Sequence, residues 1–523
     1  MRQPQRTIWF HPLLLAIYPA LSLLAANIDQ VRLSQGFRLT GASLLIGVLT
    51  YLGARLILRR WDTAALVASL VLMAALSYGR LYDGLKELGL SGETLVRHRY
   101  LLPVYAGIVG VGILWCARRR EAATLNRVLN VVSVVAIAFP LTVLGSELAQ
   151  SLSPSRLTPA ECSLQPPVGQ PLPDVYLIIM DAYERDDVLR EFHGYDNSPF
   201  LNSLEGLGFY VAYGSLSNYR HTELSLSSML NMEYSQDFPE RFGARPRSVK
   251  DATELIRTSQ VRRELECLGY LTVAFETGHI WTEWRDSDYF LQRSTTPLGA
   301  IGLNPRINRL EYMFLETTLA RVALDGLMAS QAAKPPSALD RTIDFRDRIF
   351  FVFDQLEDVP ALPSPKLVFV HILSPHPPFV FGPNGEPVSA AEFETASPGT
   401  ARDNPLLQAY ADQVTYLNKR LLEGLEIILA ESEPRPVILL MGDHGWADRN
   451  MEDKLSILNA YLVPPDAAAQ LGQTITPVNS FRVIFDTVFG GSYGQLPNVS
   501  YFSTETEEFD FVIVPNTWTS SSP

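Results

Sequence analysis

Asp174 to Met180 reads DVYLIIM, a short apolar run of strand length that leads directly into Asp181. Leu271 to Glu276 (LTVAFE), Lys366 to Leu373 (KLVFVHIL) and Val437 to Met441 (VILLM) repeat the pattern. Helix-like segments such as Ser203 to Leu207 and Tyr410 to Leu429 lie between them. Near-continuous apolar strands alternating with helices predict an α/β domain whose largely parallel central sheet is covered on both faces. In such sheets ligands bind beyond the carboxyl ends of the strands. The residues expected at that edge are Asp181, His371 and His376, and Gly442-Asp443-His444-Gly445, so carboxylates and imidazoles gather there. His371 lies inside its apolar strand and is expected to be a hydrogen-bonded core histidine. His376 is set in Pro-His-Pro-Pro, a stiff loop.

Upstream the character is different. Apolar runs at Ile8 to Ala26, Leu39 to Leu58, Thr63 to Tyr82, Leu101 to Cys116 and Val128 to Leu144 each approach the ~20 residues that cross a bilayer. Their lack of a polar face argues against a soluble helical core. The first run has a basic lead, Arg2 and Arg6, as a signal peptide would, but the spans that follow favour an uncleaved anchor. About five transmembrane spans are therefore expected in residues 1–150. Arg2, Arg6, Arg59, Arg60, Arg118, Arg119, Arg120 and Arg127 crowd the segments that are cytoplasmic if the N-terminus is inside. An odd number of spans then puts the remainder outside the cytoplasm, in the cytoplasmic (inner) membrane and facing the periplasm.

The stretch from Ser151 to Pro173 is rich in Ser and Pro and reads as an extended connector. The expected organisation is an anchor at 1–150, a linker at 151–172, a catalytic domain at 173–515 and a disordered tail at 516–523. Leu310 to Leu327 reads either as an amphipathic helix on the membrane surface or as a domain helix with a solvated face. A net charge of -13 excludes a general nucleic-acid binder, which needs a basic face. Cys116, Cys162 and Cys267 include no CxxC pair, which removes a zinc knuckle. Cys162 and Cys267 are compatible with a disulfide or with two free thiols.

Met180-Asp181, then Asn218-Tyr219-Arg220-His221-Thr222-Glu223-Leu224-Ser225-Leu226, then Ser374-Pro375-His376-Pro377-Pro378-Phe379, then Gly442-Asp443-His444-Gly445 follow one another in an order that resembles sulfatase-like members of the alkaline phosphatase superfamily. The likeness covers most of Pro173 to Ser503. With the N-terminal spans included, the chain resembles the lipoteichoic acid synthases and lipid A phosphoethanolamine transferases. The resemblance implies a membrane-anchored hydrolase or phosphotransferase acting on phosphate esters, of a lipid or a cell-envelope glycan, at the extracytoplasmic surface. Asp181, Asp443 and His444 offer two hard oxygens and one imidazole, a set suited to Zn²⁺ or Mn²⁺, and Thr222 completes the set. Thr222 is expected to be both ligand and nucleophile, and His376 a contact for the substrate phosphate or the leaving group.

Two-metal relatives use a histidine downstream of the Asp-His pair, and none of the eight histidines follows His444. One divalent ion is therefore expected. The Cys/Ser-x-Pro-x-Arg context of sulfatases is missing between Thr222 and Met229, which disfavours sulfate esters. The competing readings are a catalytically inactive binder of a surface polymer on the same fold and a polytopic transporter. The second lacks buried charge chains in its spans.

Overall fold

The computed structural model describes residues 9–519 except 29, 30, 32, 34, 88–96, 119–121, 153–161, 168, 238–248, 294–308, 330–335, 389–404, 448 and 505–508. It divides into two compact units, one made of Met1–Pro154 with Ser294–Asp340, the other of Ser155–Arg293 with Arg341–Pro523.

The first unit is helical: α1 (His11–Ala26), α2 (Gln35–Leu58), α3 (Trp61–Glu87), α4 (His98–Arg118) and α5 (Ala123–Leu152). Of these, α2 to α5 are long and apolar enough to cross a membrane, while α1 is apolar but only 16 residues long. Five spans were expected, so four stand on length and one is a shorter partner. α1 packs on α2, α3 and α5 through small side chains, with Ala16 and Ala20 facing inward as Ala64, Ala65 and Ala68 of α3 do. Small residues let helix backbones approach where lipid leaves no hydrophobic drive between helices. Large apolar groups such as Leu56, Ile57, Val111 and Phe139 point outward instead, as a hydrocarbon solvent requires.

Two short helices from much later in the chain, Arg309–Thr317 and Arg321–Ala329, belong to this unit. Arg38 pairs with Glu311, and His98 Nε2 lies 2.8 Å from Asp325 Oδ2. A Cβ on Gly79 would stand 1.9 Å from the carbonyl oxygen of Glu316, so only glycine permits the approach. The Leu310 to Leu327 stretch is thus two helices seated on α3, each carrying an ion pair to the unit.

The second unit is built on seven strands: β1 (Val175–Met180), β2 (Tyr210–Val211), β3 (Leu271–Phe275), β4 (Tyr289–Leu291), β5 (Lys366–Ile372), β6 (Val437–Gly442) and β7 (Asn459–Leu462). Their order across the sheet is β2-β7-β6-β1-β5-β3-β4. β6, β1, β5, β3 and β4 run parallel, and β7 and β2 close one side antiparallel. Every residue of β1, β5 and β6 is buried.

Alternate residues of a strand point to opposite faces. Tyr176, Ile178 and Met180 accordingly enter one core and Val175, Leu177 and Ile179 the other. Helices Asp186–His193, Ser198–Gly206 and Pro405–Glu431 cover the first face, and Thr222–Asn231, Gln260–Cys267 and Ser480–Val488 the second.

Cys162 and Cys267 are joined in a disulfide, which settles the choice that the sequence left open. Residues 153–161 and 168 of the linker lie outside the described residues. So do 520–523 of the tail, whereas Thr517 is held to Glu452 by its N–H and its hydroxyl.

Candidate metal and active site

Met180 is level with Ile372 of β5 and with Gly442 of β6. Asp181, the turn after Leu373, and Asp443 therefore leave the sheet at one edge. Asp181 N–H still donates to the carbonyl of Ile372, and its own carbonyl accepts from His376 N–H at 2.9 Å. The chain then turns sharply: Ala182 has φ 60, a left-handed conformation that a non-glycine residue rarely adopts. The turn aims the Ala182 N–H at Asp443 Oδ1, 2.9 Å away. His444 N–H reaches the same oxygen at 2.9 Å. Gly442 allows this approach, because a Cβ there would stand 2.3 Å from the carbonyl oxygen of Tyr183.

Thr222 opens the helix Thr222–Asn231, and its hydroxyl donates to Asp443 Oδ2 at 2.6 Å. Ser225 Oγ donates instead to the backbone carbonyl of Asp443 at 2.8 Å. Ser227 and Ser228 bond to the carbonyls of Leu224 and Glu233. His444 Nε2 lies 3.6 Å from Asp181 Oδ1 and 3.7 Å from Asp443 Oδ2. Of the residues named from sequence, Asp181, Thr222, Asp443 and His444 thus converge. His376 stands at the mouth, exposed, its ring 6.4 Å from that of His444 and its Nδ1 2.8 Å from the Pro377 carbonyl.

Burial, reinforced by Asp443, pushes the Asp181 carboxyl well above the usual carboxylate range. Burial also works against Asp443, but His444, His371 and the bonds from Thr222 and Ala182 outweigh it and hold that group low. Burial lowers His444 as well, so its imidazole is neutral near pH 7 and can ligate. Asp181 Oδ1 is buried without a hydrogen-bond partner. Two adjacent buried carboxylates, an orphaned oxygen and a neutral imidazole call for a cation between them.

Asp181, Asp443 and His444 offer ligand atoms within 4.8 Å of one another, the one such group among the described residues. Ligands at ~2.0–2.2 Å from a tetrahedral ion lie about 3.3–3.6 Å apart, so these residues fit a divalent ion.

Three features escaped the sequence. His371 is buried and hydrogen-bonded to Thr282, as expected, yet its Nε2 turns toward the two aspartates. Lys454 places positive charge near Asp181, His444, His376 and His221. Glu184 Oε1 accepts the N–H groups of Trp446 and Ala447, while Oε2 meets His193 Nε2 at 2.5 Å. This buried carboxylate ties the loop after Asp181 to the loop after His444. A charge cluster downstream of the Asp-His pair was the one available signal for Lys454; nothing local marks Glu184 or His193.

No family model and no curated protein matches the chain. Among solved structures it is similar to the C-terminal periplasmic domain of EcEptC from Escherichia coli in complex with Zn, at 12% identity over 67% of this chain and 95% of that chain, TM-score 0.44. It is similar to the integral membrane lipooligosaccharide phosphoethanolamine transferase A from Neisseria meningitidis, at 12% identity over 91% of this chain and 95% of that chain, TM-score 0.36. It is also similar to the lipoteichoic acid synthase LtaP from Listeria monocytogenes, at 13% identity over 63% and 77%, TM-score 0.35. At this level of likeness, what the chain does has to be read from its own residues.

Proposed function

We propose that this chain is a membrane-anchored, metal-dependent hydrolase or transferase of phosphate esters that works through a threonine nucleophile. One observation carries the reading: a hydroxyl at a helix N-terminus donates to a buried carboxylate that shares its surroundings with a second carboxylate and an imidazole. A helix start favours anions, because its first N–H groups are unpaired and its dipole end is positive.

Asp181, Thr222, Asp443 and His444 would hold one divalent ion, Zn²⁺ or Mn²⁺. When bound, that ion supplies charge that favours the alkoxide of Thr222 and neutralises the phosphoryl oxygens. Asp443 Oδ2 already accepts the hydrogen bond of the Thr222 hydroxyl at 2.6 Å and would take its proton as the oxygen attacks. Thr222 Oγ1 then bonds to phosphorus as the ester oxygen leaves, and the departing oxygen takes a proton. Water at the mouth can supply it, and His376 there is placed to contact the substrate phosphate or the leaving group. Lys454 attracts the anionic substrate. Water or an acceptor hydroxyl attacks the phosphothreonine in a second displacement that frees Thr222.

The helical unit serves as the anchor, and the sheet-bearing unit carries the site. The disulfide fits an oxidising compartment, and the arginine bias fits a cytoplasmic N-terminus, so the site faces the periplasm from the inner membrane. The substrate is a phosphate ester of a lipid or an envelope glycan, and nucleic acid is not a partner.

The test is turnover by the full chain in detergent, with Mn²⁺ or Zn²⁺, against phospholipids and artificial phosphodiesters, beside Thr222→Ala. Metal-dependent release of an alcohol or head group, lost in the variant, is expected. A folded, metal-loaded protein inert on every phosphate ester would overturn the reading.

A further inference from the structure

His371 is a buried imidazole in the apolar run of β5. Its flanking residues Val370 and Ile372 point into one core, while His371 itself lies at the carboxyl end of β5, level with Ile179. The imidazole is 1% exposed. Nδ1 is 2.9 Å from Thr282 Oγ1. Nε2 is buried with no hydrogen-bond partner and lies 3.8 Å from Asp181 Oδ2 and 4.0 Å from Asp443 Oδ2. Those distances are too long for hydrogen bonds.

Neighbouring protons fix the tautomer. Thr277 Oγ1 donates to the carbonyl of His279 at 2.9 Å and accepts the His279 N–H at 3.1 Å. Its own proton is therefore spent, so across the 3.3 Å contact with Thr282 Oγ1 it is Thr282 that donates. Thr282, having given its proton to Thr277, accepts from His371 Nδ1–H. The lone pair of His371 is then on Nε2, and it faces two carboxylate oxygens. His371 Nε2 is left without a donor beside Asp181 Oδ2 and an Asp443 Oδ2 already taken by the Thr222 hydroxyl, and buried acceptors that face one another repel. A cation relieves the repulsion.

We infer that His371 is a further ligand of the metal centre, with Thr282 as the partner that orients it. This rests on the reading of Asp181, Asp443 and His444 as a metal site. Nδ1–H held by a neighbouring oxygen, with Nε2 turned to the ion, is the usual arrangement of a metal-ligating histidine. The centre then draws one imidazole from the loop after β6 and a second from inside β5. Rigid strand backbone positions the second ligand, which sequence periodicity alone reads as core.

The test uses the full chain in detergent, loaded with Zn²⁺ and freed of excess, with zinc K-edge absorption to count imidazoles and competition against a chelator to measure affinity. The wild type is expected to show two imidazoles, and His371→Gln one. Thr282→Val, which keeps the shape and removes the hydroxyl, is expected to weaken binding about 10- to 100-fold. One imidazole in the wild type overturns the role of His371 and leaves the centre standing. Undiminished affinity in folded His371→Gln does the same. Absence of any retained zinc in the wild type overturns the metal centre itself. If His371→Gln does not fold, the wild-type imidazole count and Thr282→Val still decide.

Discussion

Thr222 and Asp443 stand 221 positions apart in the chain, yet the hydroxyl of one donates to the carboxylate of the other at 2.6 Å. Ser225, one helical turn on, reaches only the backbone of the same aspartate. Thr222→Ala is therefore expected to lower turnover by roughly 10³-fold or more while costing about 1.5–3 kcal/mol, the worth of a hydrogen bond to a charged group. Thr222→Ser should retain measurable activity. Steady-state kinetics beside thermal melting check both. Normal turnover in folded Thr222→Ala, with Ser225→Ala inactive, would move the nucleophile to Ser225.

Glu184 is expected to matter as much to the site as its ligands. Its carboxylate satisfies two backbone N–H groups just beyond His444 and holds His193, whose ring stacks on Tyr410 at 4.5 Å. Glu184→Ala leaves those groups buried without partners, at a cost of about 3–5 kcal/mol. Glu184→Gln keeps an acceptor for the amides and should lose less. Melting temperatures in that order, with weakened metal retention in both variants, are expected. Equal melting temperatures for wild type and Glu184→Ala would count against the role.

Metal-dependent stability should grow with pH. The folded-state pKa of Asp181 is raised by burial and by Asp443 above its unfolded value of ~3.9. Its contribution to the metal-free protein is thus present below that unfolded value and is lost as pH rises through the raised one. A bound cation removes that loss by stabilising the carboxylate. Adding Zn²⁺ should raise the melting temperature more at pH 7.5 than at pH 5. An equal shift at both would show that Asp181 does not titrate with the metal.

Cys162 and Cys267 are separated by 105 positions, and closing a loop of that length contributes up to about 4.7 kcal/mol in the chain-entropy model. The native chain, denatured without reductant and treated with a thiol reagent, should react at Cys116 and at neither of the others. Labelling of all three would remove the disulfide and one support for an extracytoplasmic site.

Local pattern was enough for β1, β3, β5 and β6 and for the residues that follow them, while β2, β4 and β7 were not read from it. VYLIIM, LVFV and VILLM are continuous apolar runs because both faces of β1, β5 and β6 are covered. Asp181 and the Asp443-His444 pair could be anticipated at one edge because parallel strands end together. The orientation of His371 could not be read the same way: it depends on the register of β5 against β1 and on hydroxyls brought in by the loop at Thr277 to Thr282. Glu184 and His193 find each other and Trp446 only in three dimensions. The helices at Arg309–Thr317 and Arg321–Ala329 join the helical unit through Gly79 and through pairs such as Arg38 with Glu311, contacts between positions more than two hundred residues apart.

Thr222 is expected to become phosphorylated by the substrate in a metal-dependent step. The direct measurement is mass spectrometry of the full chain, quenched in acid during turnover of a phosphodiester with Zn²⁺ or Mn²⁺ present. A phosphoryl or phosphodiester adduct is expected on Thr222, and it should disappear with chelator and in Thr222→Ala. An actively turning-over enzyme with no adduct on Thr222, or with the adduct on Ser225, would contradict it.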